Sequence, residues 1–182
     1  MKKILILLSL ILLCQCHPYK KTNMKQKFNF YTQYNQFYLE DKEKKENTNS
    51  GDFWSDEAFN AKLEMVYGIV AIGTHSYGNI KGEIEILDKP VENIDFKLYD
   101  HIVEGGINVE SGELQILDCP TSSVELELKV KPGKYRVRIY GSNFASVKET
   151  DLAHDTDNDF YKIEMWPDNN MERKVLKQYI EK

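Results

Sequence analysis

The segment SVELELKVKPGKYRVRIY, residues 123–140, alternates apolar and polar side chains in two successive runs. In the first run, every second position is apolar: Val124, Leu126, Leu128 and Val130. In the second run, the apolar face opposes two arginines and consists of Tyr135, Val137 and Ile139, with Arg136 and Arg138 on the other side. A period of two with one apolar face is typical of half-buried antiparallel strands. Between the runs, Pro132 fixes φ and Gly133 can adopt positive φ, so we expect a turn there.

Similar short runs recur along most of the chain. They read KFNFYT, NQFYLE, GIVAIGT, GEIEILD, IDFKLYD, GINVE, LQILD and FYKIEMW. Roughly nine or ten strands at such close spacing, with few helical signals, predict an all-β fold, an antiparallel β-sandwich.

Only one stretch has good helical character, FWSDEAFNAKL at residues 53–63. Ser55 can cap the helix, and Asp56 and Glu57 lie in its first turn, where the helix dipole favours acidic side chains. The tail MERKVLKQYIEK, residues 171–182, is ambiguous and could form a terminal helix. The charge-rich segment EDKEKKENTNSG, residues 40–51, is expected to be a loop that buries nothing.

The N-terminus has the proportions of a secretory signal. Two lysines precede an apolar run from Ile4 to Leu13, which is shorter than the roughly 20 residues that span a bilayer. Cys14 and Cys16 follow where a cleavage site belongs, and the stretch resembles a bacterial lipoprotein signal. We favour Cys16 as the lipidated residue, because Gln15 before it is polar and ends the apolar run.

This interpretation divides the chain into a leader (1–15), a tether (16–27) and one domain (28–182). The protein would then be lipid-anchored in the cell envelope. Two alternatives remain open: an ordinary signal peptide in which the cysteines are accidental, or a true start at Met24, which would make the protein cytoplasmic.

Composition limits the class of partner. The formal net charge is −5, and removal of the leader takes away two lysines and no acidic residue. Such a balance argues against direct binding of nucleic acid and is compatible with a basic protein partner. After lipidation of Cys16 and loss of the leader, Cys119 is the one remaining free thiol. We therefore expect no internal disulfide.

The acidic stretch DTDND places carboxylates at Asp155, Asp157 and Asp159. An EF-hand loop that began at Asp155 would need glycine and glutamate at the sixth and twelfth positions, where this chain has Phe160 and Trp166. A phosphatase aspartate pair would need a preceding apolar strand, and KETDLAH is not one. A looser calcium loop, a surface for a basic partner and a solvated connection all remain open.

No catalytic motif or cofactor site is evident. HExxH, GxSxG and a glycine-rich phosphate loop are all absent. His154 lies in the acidic loop, and His75 and His101 show no metal-ligand spacing. Cys119, in the turn DCPTSS, is expected to be structural. The sequence therefore predicts a protein that is not an enzyme and has no cofactor.

The linear order of these segments resembles the competence protein J (ComJ) family, inhibitors of the competence nuclease NucA. The residues that carry the resemblance are Tyr34, Gln36 and Phe37; Trp54, Asp56, Glu57 and Ala58; Gly106, Ile107, Glu110 and Ser111; Pro132, Gly133 and Tyr135; and Tyr161 and Ile163. The match spans roughly residues 30–165. A lipoprotein-like leader and the extension after the last strand depart from the family pattern.

The resemblance implies a protein that inhibits a nuclease. The leader, which departs from the family pattern, suggests that this inhibitor is anchored in the envelope and touches the membrane only through its lipid. Carboxylates could mimic the phosphates that a basic nuclease binds. The candidate partner-binding residues are Asp155, Asp157, Asp159, Trp54, Asp56 and Glu57. Trp54 could be an exposed anchor or a core residue. The alternative function is an envelope lipoprotein module that binds calcium, carbohydrate or another envelope protein.

Overall fold

The computed structural model describes residues 24–181, which form eleven strands and one short α-helix. The strands are β1 (Met24–Thr32), β2 (Gln36–Asp41), β3 (Leu63–Val66), β4 (Ile69–Gly73), β5 (Gly78–Ile86), β6 (His101–Val109), β7 (Glu113–Leu117), β8 (Val124–Lys129), β9 (Gly133–Ser142), β10 (Phe160–Pro167) and β11 (Lys174–Lys177). The helix α1 spans Asp56–Ala61, and 3-10 turns occur at Phe96–Leu98 and Phe144–Ser146.

Two sheets form the sandwich. The first sheet has the order β1-β5-β10-β9-β6-β11, and the second has the order β3-β4-β2-β7-β8. The all-β sandwich predicted from the sequence is confirmed, with one departure: β10 pairs with β5 in parallel, whereas the other pairs are antiparallel.

The core lies between the sheets. The second sheet contributes Phe37 and Leu39, which are fully buried, and the first contributes Val137, Tyr161 and Ile163. Each large apolar side chain buried in this way stabilises the fold by about 1.5–3 kcal/mol. The alternation seen in the sequence therefore identifies the inward faces of the strands, except at the start of β8, where Val124 is 51% exposed.

The turn after residue 130 has a different role from the one expected. β8 pairs with β7 in the second sheet, while β9 lies between β10 and β6 in the first sheet. The segment around Pro132 therefore carries the chain from one sheet to the other. Gly133 does not adopt positive φ; in the turn between β6 and β7, Gly112 does, with φ of 77°.

The strand β9 is buried on both faces, which corrects the expectation that its arginines face solvent. Arg136 and Arg138 are almost fully buried on the outer face of the first sheet. Both donate to Glu104 on β6, and Arg138 Nη1 also lies 3.5 Å from Glu164 Oε2 on β10. We call these four residues the arginine network.

Two flanking segments cover the arginine network. Arg138 donates to the carbonyl of Val91 at 2.9 Å, and Arg136 donates to the carbonyls of Asn170 and Glu172. Backbone carbonyls thus satisfy donors that the carboxylates leave free. This explains how two guanidinium groups remain buried.

The C-terminal segment forms a strand where a helix could have formed. β11 pairs with the outer edge of β6, with Val175 opposite Val103. Closing this edge satisfies backbone groups of β6 that would otherwise face water. The approach is close at Gly106, where an added Cβ would lie 2.6 Å from the Cα of Met171.

Three further expectations are corrected. The run at 94–100 forms a 3-10 turn and loop, and no strand. Asp41 is buried and accepts hydrogen bonds from the backbone of Glu110 and Ser111, so the charged segment does bury its first residues. β1 begins at Met24, four residues inside the expected tether.

No helix in residues 24–181 is long and apolar enough to cross a membrane.

Candidate functional site

A cavity of about 560 Å³ opens at one end of the sandwich. Its walls come from the connection before β2, the end of β4, helix α1, the loop at Thr150 and residues 178–181. The aromatic residues that line it are Tyr34, Trp54, Phe59 and Tyr179. A concave site of this size with mixed apolar and polar walls is suited to binding a ligand or a side chain of a partner.

Unusual backbone conformations concentrate at this cavity. Five residues other than glycine have positive φ within residues 24–181, and three of them, Tyr34, Asn35 and Lys62, line the cavity. Tyrosine and lysine rarely adopt this conformation, and each such residue costs about 1–3 kcal/mol. Strain of this kind clusters at binding sites, so it marks the cavity as a candidate functional site.

Helix α1 sets the position of Lys62. Ser55 caps the helix by accepting from the Ala58 N–H at 3.1 Å, as the sequence predicted. At the other end, Lys62 has φ of 53° and ends the helix, a position that usually holds glycine or asparagine. Gly73 makes room for it, since a Cβ there would lie 3.1 Å from the Cα of Lys62.

The ammonium group of Lys62 is largely buried in the cavity wall. Its Nζ donates to the carbonyl of Thr74 at 3.3 Å and lies 5.7 Å from the ring centroid of Phe144. No ion pair reaches it within residues 24–181. Burial lowers the pKa of Lys62, and the attraction of Asp159 and Glu181 opposes that shift.

A hydrogen-bonded cluster lies behind the cavity wall. The carboxylate of Asp159 accepts from the backbone N–H of Ser76 at 3.0 Å, from its hydroxyl at 2.6 Å and from the Tyr161 hydroxyl at 2.6 Å. The Tyr161 hydroxyl accepts in turn from the His75 N–H at 2.6 Å. Burial and the charge of Asp159 raise the pKa of Tyr161 well above its usual value, so this hydroxyl stays protonated and donates.

The ring of His75 connects this cluster to the cavity. It stacks on Phe144 with centroids 4.7 Å apart and meets Tyr179 edge-on at 5.0 Å. Burial, followed by the nearby charge of Lys62, lowers the pKa of His75. The imidazole is therefore a neutral part of the wall at physiological pH.

His101 fixes two of the cavity walls relative to each other. One ring nitrogen, Nε2, lies 2.9 Å from the carbonyl of Ala61, and the other, Nδ1, accepts from the Tyr179 N–H at 3.3 Å. The second bond requires an unprotonated Nδ1, so Nε2 carries the proton and donates. Burial lowers the pKa of His101 to about 4, which agrees with a neutral ring.

The three carboxylates of the acidic loop have three different environments. Asp155 is exposed. Asp157 is half-buried and accepts from the His154 N–H at 2.9 Å, which closes a turn. Asp159 is 1% exposed. The expectation that Asp159 faces a partner is wrong, because its two oxygens already accept three hydrogen bonds inside the protein.

The other predicted partner-binding residues lie near the cavity. Trp54 lines it while packing edge-on against Phe53 at 5.9 Å, so it is neither fully core nor fully exposed. Its indole Nε1 is buried with no hydrogen-bond partner in the described chain. Asp56 and Glu57 are exposed on α1, and Glu57 pairs with Arg173 at 3.2 Å.

Sequence reasoning missed Lys62, Asn35 and Tyr179 as cavity residues. No local sequence signal identifies Lys62. A lysine near the end of a helix is common, and only the positive φ of Lys62 is unusual.

The described residues contain no cluster of three potential metal ligands. Cys119 is buried, with its sulfur 3.2 Å from Gln36 Nε2 and 3.8 Å from the Tyr38 hydroxyl.

Solved structures share this fold. ComJ from Bacillus subtilis, inhibitor of the DNA degrading activity of NucA, has a TM-score of 0.61 and 15% identity, covering 81% of this chain and 99% of that chain. Crocagin biosynthetic gene J has a TM-score of 0.53 and 17% identity, covering 82% and 100%. No protein-family model and no curated protein matches the chain. The resemblance to ComJ is confirmed at the level of the fold.

Proposed function

We propose that this protein is a non-catalytic inhibitor that binds a nuclease. The observation that carries the proposal is the fold, which it shares with a nuclease inhibitor across almost the whole of that chain. The negative formal charge of −5 supports a basic partner, because complementary charge accelerates encounter. An inhibitor of this kind presents carboxylates where the nuclease would bind phosphates.

The partner surface that we propose consists of Asp155, Asp56, Glu57 and Trp54. The three acidic residues are exposed, and Trp54 offers part of an aromatic ring beside the cavity. Asp157 shapes the loop that carries Asp155, while Asp159 holds the loop to the core. The loop and helix α1 both border the cavity, through Thr150 and through Phe59 and Asn60 respectively.

We also propose that lipid on Cys16 anchors the protein in the cell envelope. Cys16 and the rest of the leader lie outside the described residues, and the support comes from the sequence, in which a short apolar run ends at two cysteines. We expect mass spectrometry of the mature protein to find an acylated N-terminal cysteine. A mature chain that begins at Met24 would contradict the anchor.

The test of the function begins with the partner that co-purifies from the native envelope. We expect a basic nuclease whose degradation of plasmid DNA stops at a stoichiometric amount of this protein. An Asp155→Lys, Asp56→Lys double variant should slow association roughly tenfold at low salt, because it reverses charge on the proposed surface. Surface-immobilised kinetics at about 0.01 M and about 1 M salt measure this, since screening removes the effect at high salt.

The matched control for this charge reversal is a Glu92→Lys, Glu125→Lys double variant. It makes the same change in net charge at exposed positions away from the cavity. Equal association rates for the two double variants would show that the acidic loop and helix α1 do not face the nuclease. A purified partner without nuclease activity would contradict the proposed function itself.

A further inference from the structure

We propose that the cavity binds an aromatic monocarboxylate, whose carboxylate is held by the ammonium group of Lys62 and whose ring lies among the aromatic walls. This site adjoins the acidic surface proposed for the nuclease, and the two share Trp54. A cation in the wall suits an anion and would repel the basic side chains of such a partner.

The first step in the argument is the incomplete bonding of Lys62. An ammonium group carries three donors, and among residues 24–181 this one makes a single hydrogen bond, at 3.3 Å, to a carbonyl. A largely buried cation to which the described part of the chain offers no ion pair is costly, and a ligand carboxylate would relieve that cost. The strained backbone of Lys62 is consistent with a side chain held in place for binding.

The second step is the charge that a ligand would meet. His75 is neutral, so Lys62 is the only cationic residue among the residues from 24 to 181 that line the cavity. Asp159 lies behind the wall with both oxygens occupied by Ser76 and Tyr161, and it makes no ion pair with Lys62. Glu181 at the edge of the cavity would oppose a second negative charge. A monoanion therefore fits better than a phosphate dianion.

The third step is the shape and composition of the walls. Tyr34, Trp54, Phe59 and Tyr179 surround the space that Lys62 faces. Aromatic walls favour a ring that can stack or meet them edge-on. Tyr34 and Phe59 are 64% and 70% exposed, so part of this aromatic surface is open to a ligand.

Two kinds of molecule carry an aromatic carboxylate of this type: a free small molecule, and a polypeptide whose C-terminal residue is aromatic. The probes are N-acetyl-L-phenylalanine, its neutral amide, phenyl phosphate, and the peptide GGGGF with a free or an amidated C-terminus. Calorimetry measures affinity, and the amide spectrum of labelled protein identifies the residues that a probe perturbs.

We expect N-acetyl-L-phenylalanine to bind with a Kd tighter than about 1 mM and at least about tenfold better than its amide. The Lys62→Met variant should lose that preference, and Lys129→Met, an exposed control, should keep it. Stronger binding by the free peptide than by the small acid assigns the site to a chain terminus; equal or weaker binding assigns it to a small molecule.

Several results would overturn the proposal. They are equal binding of acid and amide, an unchanged preference in a folded Lys62→Met protein, tighter binding of phenyl phosphate, or no binding of either carboxylate probe. Circular dichroism of each variant separates loss of the site from loss of the fold. None of these readouts depends on a nuclease, so the test is independent of the proposed inhibitory function.

Discussion

Replacing Glu104 by alanine is expected to lower the free energy of unfolding by about 3–5 kcal/mol. The carboxylate of Glu104 accepts from Arg136 Nη2 at 3.0 Å and from Arg138 Nε at 2.6 Å. Its removal would leave two buried guanidinium groups with one carboxylate, Glu164, between them. For a chain of this length we expect a fall in Tm of about 10 °C, measured by thermal and urea unfolding.

The environment of the arginine network explains why this effect should be large. Arg136 and Arg138 are 3% and 7% exposed, so water cannot replace the lost carboxylate without opening the covering segments. Glu164 cannot compensate, because it already accepts from Tyr140 at 2.6 Å and from Lys162 at 2.7 Å. The cost is that of uncompensated buried charge, and it exceeds the net worth of the ion pairs.

Glu127→Ala is the matched control. Like Glu104, Glu127 lies on a strand and forms an ion pair, but its partner is a lysine and its side chain is exposed. Exposed pairs contribute little, and we expect no measurable change in the unfolding midpoint. An equally small effect of Glu104→Ala would mean that the covering segments open readily and that the network is hydrated.

The second large effect is expected for Asp159→Ala, which should cost roughly 3 kcal/mol or more. Three donors would lose their acceptor: the N–H and hydroxyl of Ser76 and the hydroxyl of Tyr161. Ser76 and Tyr161 are almost fully buried, so water cannot easily satisfy these groups. Urea unfolding followed by tryptophan fluorescence measures the change.

Asp155→Ala provides the control within the same loop. Asp155 is exposed, and we expect its loss to leave the unfolding transition unchanged. An unfolding curve for Asp159→Ala that matches the wild-type curve would show that these hydrogen bonds do not contribute to the free energy of unfolding. It would contradict the role of Asp159 as a stabilising residue of the core. The comparison also shows why Asp159 is left unchanged in the binding experiments: a charge change there would weaken binding by unfolding the loop.

The sequence predicted the strands well where one face is apolar and the other is polar. The alternation around Leu128 and Val137 identified their inward faces, and the capping pattern at Ser55 located α1. The prediction failed where tertiary packing covers the second face. Arg136 and Arg138 have a solvent-facing pattern, yet the segments at Val91 and Asn170 bury them.

The candidate site was only partly predictable for a related reason. Trp54, a partner-binding candidate from the sequence, lines the cavity, and Asp56 and Glu57 follow it on the exposed start of helix α1. Nothing in the spacing of DTDND distinguishes its three carboxylates. Their environments follow from contacts with distant residues, and Asp159 meets Ser76 83 residues away in the chain.

By itself, the sequence determined the class of the fold: an all-β sandwich with one capped helix and a core made of alternating apolar positions. Those features depend on local chemistry, because a period of two fixes which side chains share a face and a hydroxyl before a helix fixes its start. Only the tertiary structure decided which sheet each strand joins, which carboxylates and arginines are buried, and that Lys62 faces an aromatic cavity. These outcomes depend on what lies against the other side of each element, and residues far apart in the chain supply it.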